Sequence, residues 1–206
     1  MVLALKFTFI TRRLPLALLA PALLLPARPA TAEPAAALSF LALSPFLLMS
    51  ATSPLDPATL RRHYEAAAAD KTAGEKFYQL LADYNANDAL VLAYKAAAEA
   101  IRARDASMFN KLTYVQQAAR TFEQAVALDG NNPEIRFLRF SVESNLPAFL
   151  GLSKHLDEDR ALLLRSSLSH PESGLDAEAF RTVRDFLVDR GHVSEAEAQQ
   201  LSKLKA

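Results

Sequence analysis

Arg136 and Arg139 lie one helical turn apart and offer the most direct chemistry in the sequence. Two guanidinium groups on one face can clamp a carboxylate or a phosphate through paired hydrogen bonds. Glu143 follows Arg139 at the spacing of an intrahelical ion pair, and Asn145 lies nearby. The pattern therefore allows two interpretations. One is a binding site for an anion, and the other is a polar seam in which the arginines pair with Glu143 and with acids of adjacent helices.

Asn110, Lys111 and Tyr114 form a second candidate binding group. The stretch from Asp105 to Asn110 has the composition of a loop, and a connection through Lys111 is longer than a tight turn between helices requires. Long connections of this kind are often functional. The alternative is structural: Asn110 caps a helix that begins near Leu112, and Lys111 is solvated.

His155 and Asp159 are four residues apart, which places both side chains on one helical face. Two metal ligands, or a base and the acid that orients it, need that arrangement. Two ligands do not complete a zinc site, and acids in a first helical turn also favour the helix dipole. We therefore predict no metal and no cofactor, and we expect His63, His170 and His192 to be surface residues.

The composition excludes several other kinds of chemistry. The chain has no Cys, so disulfides, thiolate zinc sites and a cysteine nucleophile are excluded. It contains no G-x-S-x-G, no H-E-x-x-H and no phosphate-binding loop. Lys plus Arg and Asp plus Glu both number 23, which gives no sign of nucleic-acid binding. These features predict a non-enzymatic protein with no catalytic residue.

Residues 1–32 have the order of a secretory signal peptide. Lys6, Arg12 and Arg13 precede an apolar run from Leu14 to Leu25, and Ala30-Thr31-Ala32 is a small-residue cleavage site. The run of about 12 residues is shorter than the roughly 20 that cross a membrane. We expect an exported protein, periplasmic or extracellular.

A second apolar run, from Leu38 to Met49, leaves the mature start open. Cleavage after Ala32 would keep residues 33–54 as an apolar and linker segment. Cleavage after Ala51 would remove both runs, and an uncleaved chain would stay anchored in the membrane. In each case residues 55–206 are predicted to form a single helical domain.

The rest of the sequence predicts about seven to eight helices, because Ala and Leu are common and β-branched residues are scarce. The helix from Leu112 to Leu128 has the most regular apolar spacing. The helix from Pro133 to about Asn145 is apolar around most of its circumference. A helix of that kind is normally packed on several sides, so we expect it to be central.

Ala118, Phe122 and Ala125, followed by Leu128-Asp129-Gly130-Asn131-Asn132, resemble the second helix and exit turn of a tetratricopeptide (TPR) repeat. Small residues let two such helices approach closely, and the aromatic ring fills the remaining gap. The resemblance covers about 15 residues. It implies an all-α fold, a compact right-handed array of antiparallel helical hairpins that is TPR-like and binds protein or peptide.

A wider set of motifs is similar to an uncharacterised family of exported bacterial proteins. These motifs are Tyr94-Lys95-Ala96-Ala97, Phe109-Asn110-Lys111-Leu112, the stretch from Pro133 to Phe140, and the stretch from Asn145 to Gly151. The similarity implies an exported helical domain and supplies no activity.

Taken together, the sequence predicts a domain that binds a protein or peptide in the cell envelope, with no nucleic acid and no cofactor. Its candidate binding residues are Asn110, Lys111, Tyr114, Arg136, Arg139 and Asn145. Two alternatives remain. One is a small-molecule or metal-dependent enzyme that uses the His155/Asp159 and Arg136/Arg139 faces. The other is a membrane-tethered structural module.

Overall fold

The computed structural model describes residues 55–205, and this part of the chain contains eight α-helices, one short 3-10 helix and no strand. The predicted all-α class and number of helices are confirmed. The helices are α1 (Pro57–Ala69), α2 (Lys71–Leu81), α3 (Ala89–Asp105), α4 (Met108–Leu128), α5 (Pro133–Glu143), α6 (Leu156–Leu168), α7 (Ala177–Asp189) and α8 (Glu195–Ser202). The predicted signal peptide, its cleavage sites and the segment to residue 54 lie outside the described residues. Within them, no helix combines the length and apolar character needed to cross a membrane.

Six of the eight helices that the structure describes begin where a short polar side chain accepts from their free backbone N–H groups. Asp56, Asp70, Asp88 and Asp176 cap α1, α2, α3 and α7 in this way. Asn132 directly precedes Pro133 and caps α5. Its side chain accepts from two backbone N–H groups of the first turn. Each of these caps fixes where its own helix starts and therefore which side chains of that helix share a face.

The two longest helices, α3 and α4, form an antiparallel pair joined by only Ala106 and Ser107. The predicted loop through Asn110 and the predicted helix start near Leu112 are therefore wrong. Helix α4 begins at Met108, so Asn110 and Lys111 lie in its first turn. The ammonium of Lys111 donates to two carbonyls at the end of α3, and this contact holds the tight connection together.

Helix α5 is central, as predicted, and all 11 of its residues are buried. Ile135, Leu138 and Val142 belong to one apolar cluster, the N-terminal core, together with side chains of α1 to α4. Phe137 and Phe140 belong to a second cluster, the C-terminal core, together with side chains of α6, α7 and α8. Because α5 supplies side chains to both clusters, it connects the two halves of the described chain.

Candidate binding groove

An open groove of about 600 Å³ lies along the α3–α4 pair, and the loop between α2 and α3 forms its third wall. Its floor and walls are lined by Tyr84, Asn85, Ala86 and Asn87 of the loop, by Leu92, Lys95 and Glu99 of α3, and by Gln117, Thr121, Gln124, Ala127 and Leu128 of α4. This volume falls within the range typical of small-ligand sites.

Helical spacing explains how these side chains come together. Leu92, Lys95 and Glu99 follow one another at intervals of three and four, so they share one face of α3. Gln117, Thr121, Gln124 and Leu128 share a face of α4 for the same reason. Because the two helices are antiparallel, Glu99 meets Gln117 and Thr121 at one end of the groove. Leu92 and Leu128 form its apolar end.

The polar end of the groove contains the carboxyl group of Glu99. This residue is buried, with 1% of its surface exposed. Its Oε1 accepts from Gln117 Nε2 at 2.9 Å, and its Oε2 accepts from Thr121 Oγ1 at 2.8 Å. Burial raises the pKa of Glu99, and these hydrogen bonds, together with the more distant charges of Lys95 and Arg120, offset the rise only in part.

The Thr121 hydroxyl lies within reach of two acceptors. The Thr121 hydroxyl oxygen lies 2.8 Å from the Glu99 carboxyl and 3.1 Å from the Gln117 carbonyl. A hydroxyl has one proton to donate. Donation to Glu99 lowers the pKa of that carboxyl, so burial is the cause that raises it.

Lys95 lies one turn before Glu99 on the same face of α3, but its ammonium points to the loop. Its Nζ donates to the Tyr84 carbonyl at 2.6 Å. An ammonium has three donors, so two remain for solvent or a ligand. Asn85 and Asn87 of the same loop are exposed. In addition to its apolar end, the groove therefore offers a cation, two amides of the loop and two glutamines of α4.

Tyr114 lies next to the polar end of the groove rather than among its lining residues. Its ring packs edge-to-face against Tyr78, with 5.8 Å between centroids, and the Arg102 guanidinium lies 5.8 Å from the Tyr114 centroid. Asn110 is exposed in the first turn of α4, and Lys111 is engaged with the end of α3. The structure thus brings one of these three predicted residues, Tyr114, close to the groove.

Arg136 and Arg139 do not line the groove, and they converge on Asp159 of α6, which is fully buried. Arg139 binds both Asp159 oxygens, at 2.7 and 2.6 Å. Arg136 donates to Asp159 at 2.8 Å, to Glu158 at 2.6 Å and to the Gly130 carbonyl at 2.7 Å. These contacts match the interpretation of a polar seam closed by acids of an adjacent helix.

The expected intrahelical pair between Arg139 and Glu143 does not form, so that detail of the prediction is wrong. Glu143 instead accepts from the backbone N–H of His155 at 2.9 Å and lies 2.7 Å from His155 Nδ1. His155 is the N-cap residue at the start of α6, where free N–H groups favour a carboxylate. Asn145 donates to the Ser141 carbonyl at 2.7 Å, away from the arginines.

His155 and Asp159 have different partners and do not form a joint site. Glu143 holds the histidine, and the two arginines hold the aspartate. Among residues 55–205, no three His, Cys, Asp or Glu side chains are grouped so that they could hold a metal ion.

Sequence reasoning missed the groove residues Lys95, Glu99, Gln117, Thr121 and Gln124. One signal was present: Glu99 is an acid in an alanine-rich helix, between Ala98 and Ala100 and one turn before Arg102. An acidic residue on a face that an antiparallel neighbour covers requires a specific partner. The partners themselves depend on the register of α3 against α4.

Comparison of the chain with protein-family models, with curated proteins and with solved structures gives no match. The function must therefore be argued from the groove itself.

The buried carboxyl makes a pH-dependent contribution to stability. Because the pKa of Glu99 is higher in the folded protein than in the unfolded chain, folding binds a proton, and stability falls as pH rises through the interval between the two values. Glu99→Gln keeps a donor toward Thr121 and an acceptor toward Gln117. We expect the variant and the wild type to be similar near pH 4, and the variant to be more stable near pH 8.

Urea unfolding of both proteins at the two pH values measures this difference. Glu123→Gln, at an exposed acid of α4, is the matched control and should show no such change with pH. A Glu99→Gln variant that is less stable than wild type near pH 8 would contradict the raised pKa of Glu99.

Proposed function

We propose that the protein is a non-enzymatic, exported binding protein of the cell envelope and that its groove holds a peptide segment of a partner protein. The observation that carries the proposal is the open groove itself, with a polar end at Glu99, Gln117 and Thr121 and an apolar end at Leu92 and Leu128. Recognition sites typically combine an apolar surface with a few placed polar groups.

The lining chemistry suits a peptide better than a compact apolar ligand. Gln117 and Gln124 of α4, with Asn85 and Asn87 of the loop, each offer an amide that can donate and accept. A peptide backbone presents the same two groups at each residue. Leu128 is 51% exposed at the other end of the groove and can receive an apolar side chain.

The repeat-like hairpin supports the same proposal. Ala118, Phe122 and Ala125 of α4 are buried in the N-terminal core, where the two small alanines leave room for a neighbouring helix and the Phe122 ring fills the remaining space. The adjacent face of the same helix is then left to line the groove. Export is supported by the order of basic, apolar and small residues before Glu33. The enzymatic alternative receives no support from His155 and Asp159, since separate buried partners hold each of them.

Filling the groove should abolish peptide binding. Ala127 is exposed and lines the groove, so Ala127→Trp would occupy it without entering either core. Peptides selected from a random display library on the full-length wild-type protein should lose on the order of tenfold or more in affinity for this variant, as measured by fluorescence anisotropy.

Glu123→Trp is the matched control, because Glu123 is exposed on α4 but does not line the groove. It should leave the affinity unchanged. Selected peptides that bind Ala127→Trp as tightly as wild type, or a library that yields no binding peptide, would refute the proposed function.

A further inference from the structure

We infer that the polar end of the groove receives a basic side chain of the bound peptide, a lysine ammonium or an arginine guanidinium, and that Glu99 binds it. This inference rests on the proposed function, because it names what the same groove recognises. Glu99 differs from every other buried acid that the structure describes, and that difference is the starting observation.

Four acidic side chains are buried within residues 55–205: Glu99, Glu134, Glu143 and Asp159. Three of them have a basic partner: Arg61 for Glu134 at 2.7 Å, His155 for Glu143 at 2.7 Å, and Arg139 for Asp159 at 2.6 Å. Among these four, Glu99 alone is bound only by neutral groups, and it alone lines the groove. Buried carboxylates are normally paired, so a ligand cation would complete the site.

The neighbouring cations of the protein do not serve this role. Lys95 is on the same face of α3, but the Tyr84 carbonyl holds its ammonium at 2.6 Å. Arg120 is exposed on α4 and acts on Glu99 only through its more distant charge. Both charges would repel a ligand cation weakly, while a direct contact with Glu99 would attract it strongly, because Coulomb energy falls with distance.

Gln117 controls access to the carboxyl. Its half-buried side chain donates to Glu99 Oε1 at 2.9 Å, so an incoming cation replaces this amide as the donor. A hydrogen bond from a charged donor to a carboxylate is about twice as strong as one between neutral groups. The exchange leaves Thr121 in place on Oε2 and turns the Gln117 amide toward the rest of the ligand.

The exchange also moves a proton. Where Glu99 is neutral before binding, its proton passes to solvent, and the ligand keeps all of its own protons. The product is a carboxylate bound to an ammonium or guanidinium, with at most one proton released for each peptide bound. Proton release therefore reports contact with Glu99, which a ligand that binds elsewhere in the groove would not produce.

The length of the groove determines the spacing between the basic and the apolar residue in the probe peptide. Seven residues separate Leu92 from Glu99, which is about 10 Å along a helix and about three residues of extended peptide. The probe is therefore acetyl-Ala-Lys-Ala-Ala-Leu-Ala-amide, in which Lys would meet Glu99 and Leu would meet Leu92 and Leu128. Its control carries norleucine, an uncharged chain of similar shape, in place of Lys. Free n-butylamine tests whether the amine alone is sufficient.

Isothermal titration calorimetry on the full-length protein, in two buffers of different ionisation enthalpy, measures affinity and proton release together. The Lys peptide should bind about tenfold or more tightly than the norleucine peptide. The number of protons that it releases should grow as the pH of the titration is lowered, because the pKa of Glu99 is raised. Glu99→Gln should abolish both the preference and the proton release. n-Butylamine should bind more weakly than the Lys peptide.

The failures are distinguishable. If the two peptides bind equally, or if only library-selected peptides without a basic residue bind, the inference fails and the proposed function stands. If n-butylamine binds as tightly as the Lys peptide, the site recognises a free amine and the assignment to a peptide side chain is overturned. If Ala127→Trp leaves all peptide binding intact, the proposed function fails, and this inference fails with it.

Discussion

Replacing Asp159 with asparagine should lower the free energy of unfolding by about 3–5 kcal/mol, because it removes the anion from a buried ion-pair cluster. Asp159 is fully buried, while the side chains of Arg136 and Arg139 are only 10% and 4% exposed. The variant would leave the exposed Glu158 as the carboxylate of α6 that faces these two buried guanidinium groups. Urea unfolding followed by far-UV circular dichroism measures the loss.

Glu158→Gln is the control for this prediction. Glu158 also contacts Arg136, but its side chain is 59% exposed, and exposed pairs contribute about 1 kcal/mol or less. A loss at Asp159→Asn no larger than the loss at Glu158→Gln would mean that the seam between α5 and α6 does not hold these helices together.

Phe140→Ala should lower the free energy of unfolding by about 3–5 kcal/mol. The two cores should still unfold in one transition, because α5 belongs to both. Phe140 is 2% exposed in the C-terminal core and packs against His192, with ring centroids 4.8 Å apart. Leu138 and Ile135 of the same helix are buried in the N-terminal core. Loss of α5 from one cluster therefore removes it from the other.

The tyrosines make this coupling measurable. All 5 of them, at positions 64, 78, 84, 94 and 114, precede α5, and the chain has no Trp. Tyrosine fluorescence therefore reports on α1 to α4, while far-UV circular dichroism reports on every helix. In Phe140→Ala the two signals should shift together to lower urea concentration. Separate transitions, with the fluorescence midpoint unchanged, would show that the two cores unfold independently.

Phe149→Ala provides the matched control. Phe149 is 64% exposed in the connection between α5 and α6, so its removal should change stability by less than about 0.5 kcal/mol.

Local patterns were sufficient to predict much of this fold. Apolar residues around the circumference of α5 predicted its central position, since both of its faces had to be covered. The predicted start of α4 was wrong. The N-cap residue of this helix is Ser107, and it makes no side-chain hydrogen bond. What stabilises that junction is Lys111 reaching back to α3, a contact that depends on the packing of two helices and not on a local motif.

The groove was beyond sequence reasoning for a related reason. Glu99 meets Gln117 and Thr121 across 18 and 22 residues of chain, and only the register of α3 against α4 selects them. Glu143 was expected to bind Arg139 at the local spacing, yet it binds the start of α6. The free N–H of His155 needs an acceptor there, and Asp159 already satisfies the arginine.

The most direct test of the account is to map a selected peptide onto the full-length protein by nuclear magnetic resonance. We expect the largest chemical-shift changes at the groove residues Lys95, Gln117, Thr121 and Gln124. Changes confined instead to the exposed apolar side chains at the start of α4, where Phe109 is 93% exposed, would place the ligand elsewhere and contradict the groove as the binding site.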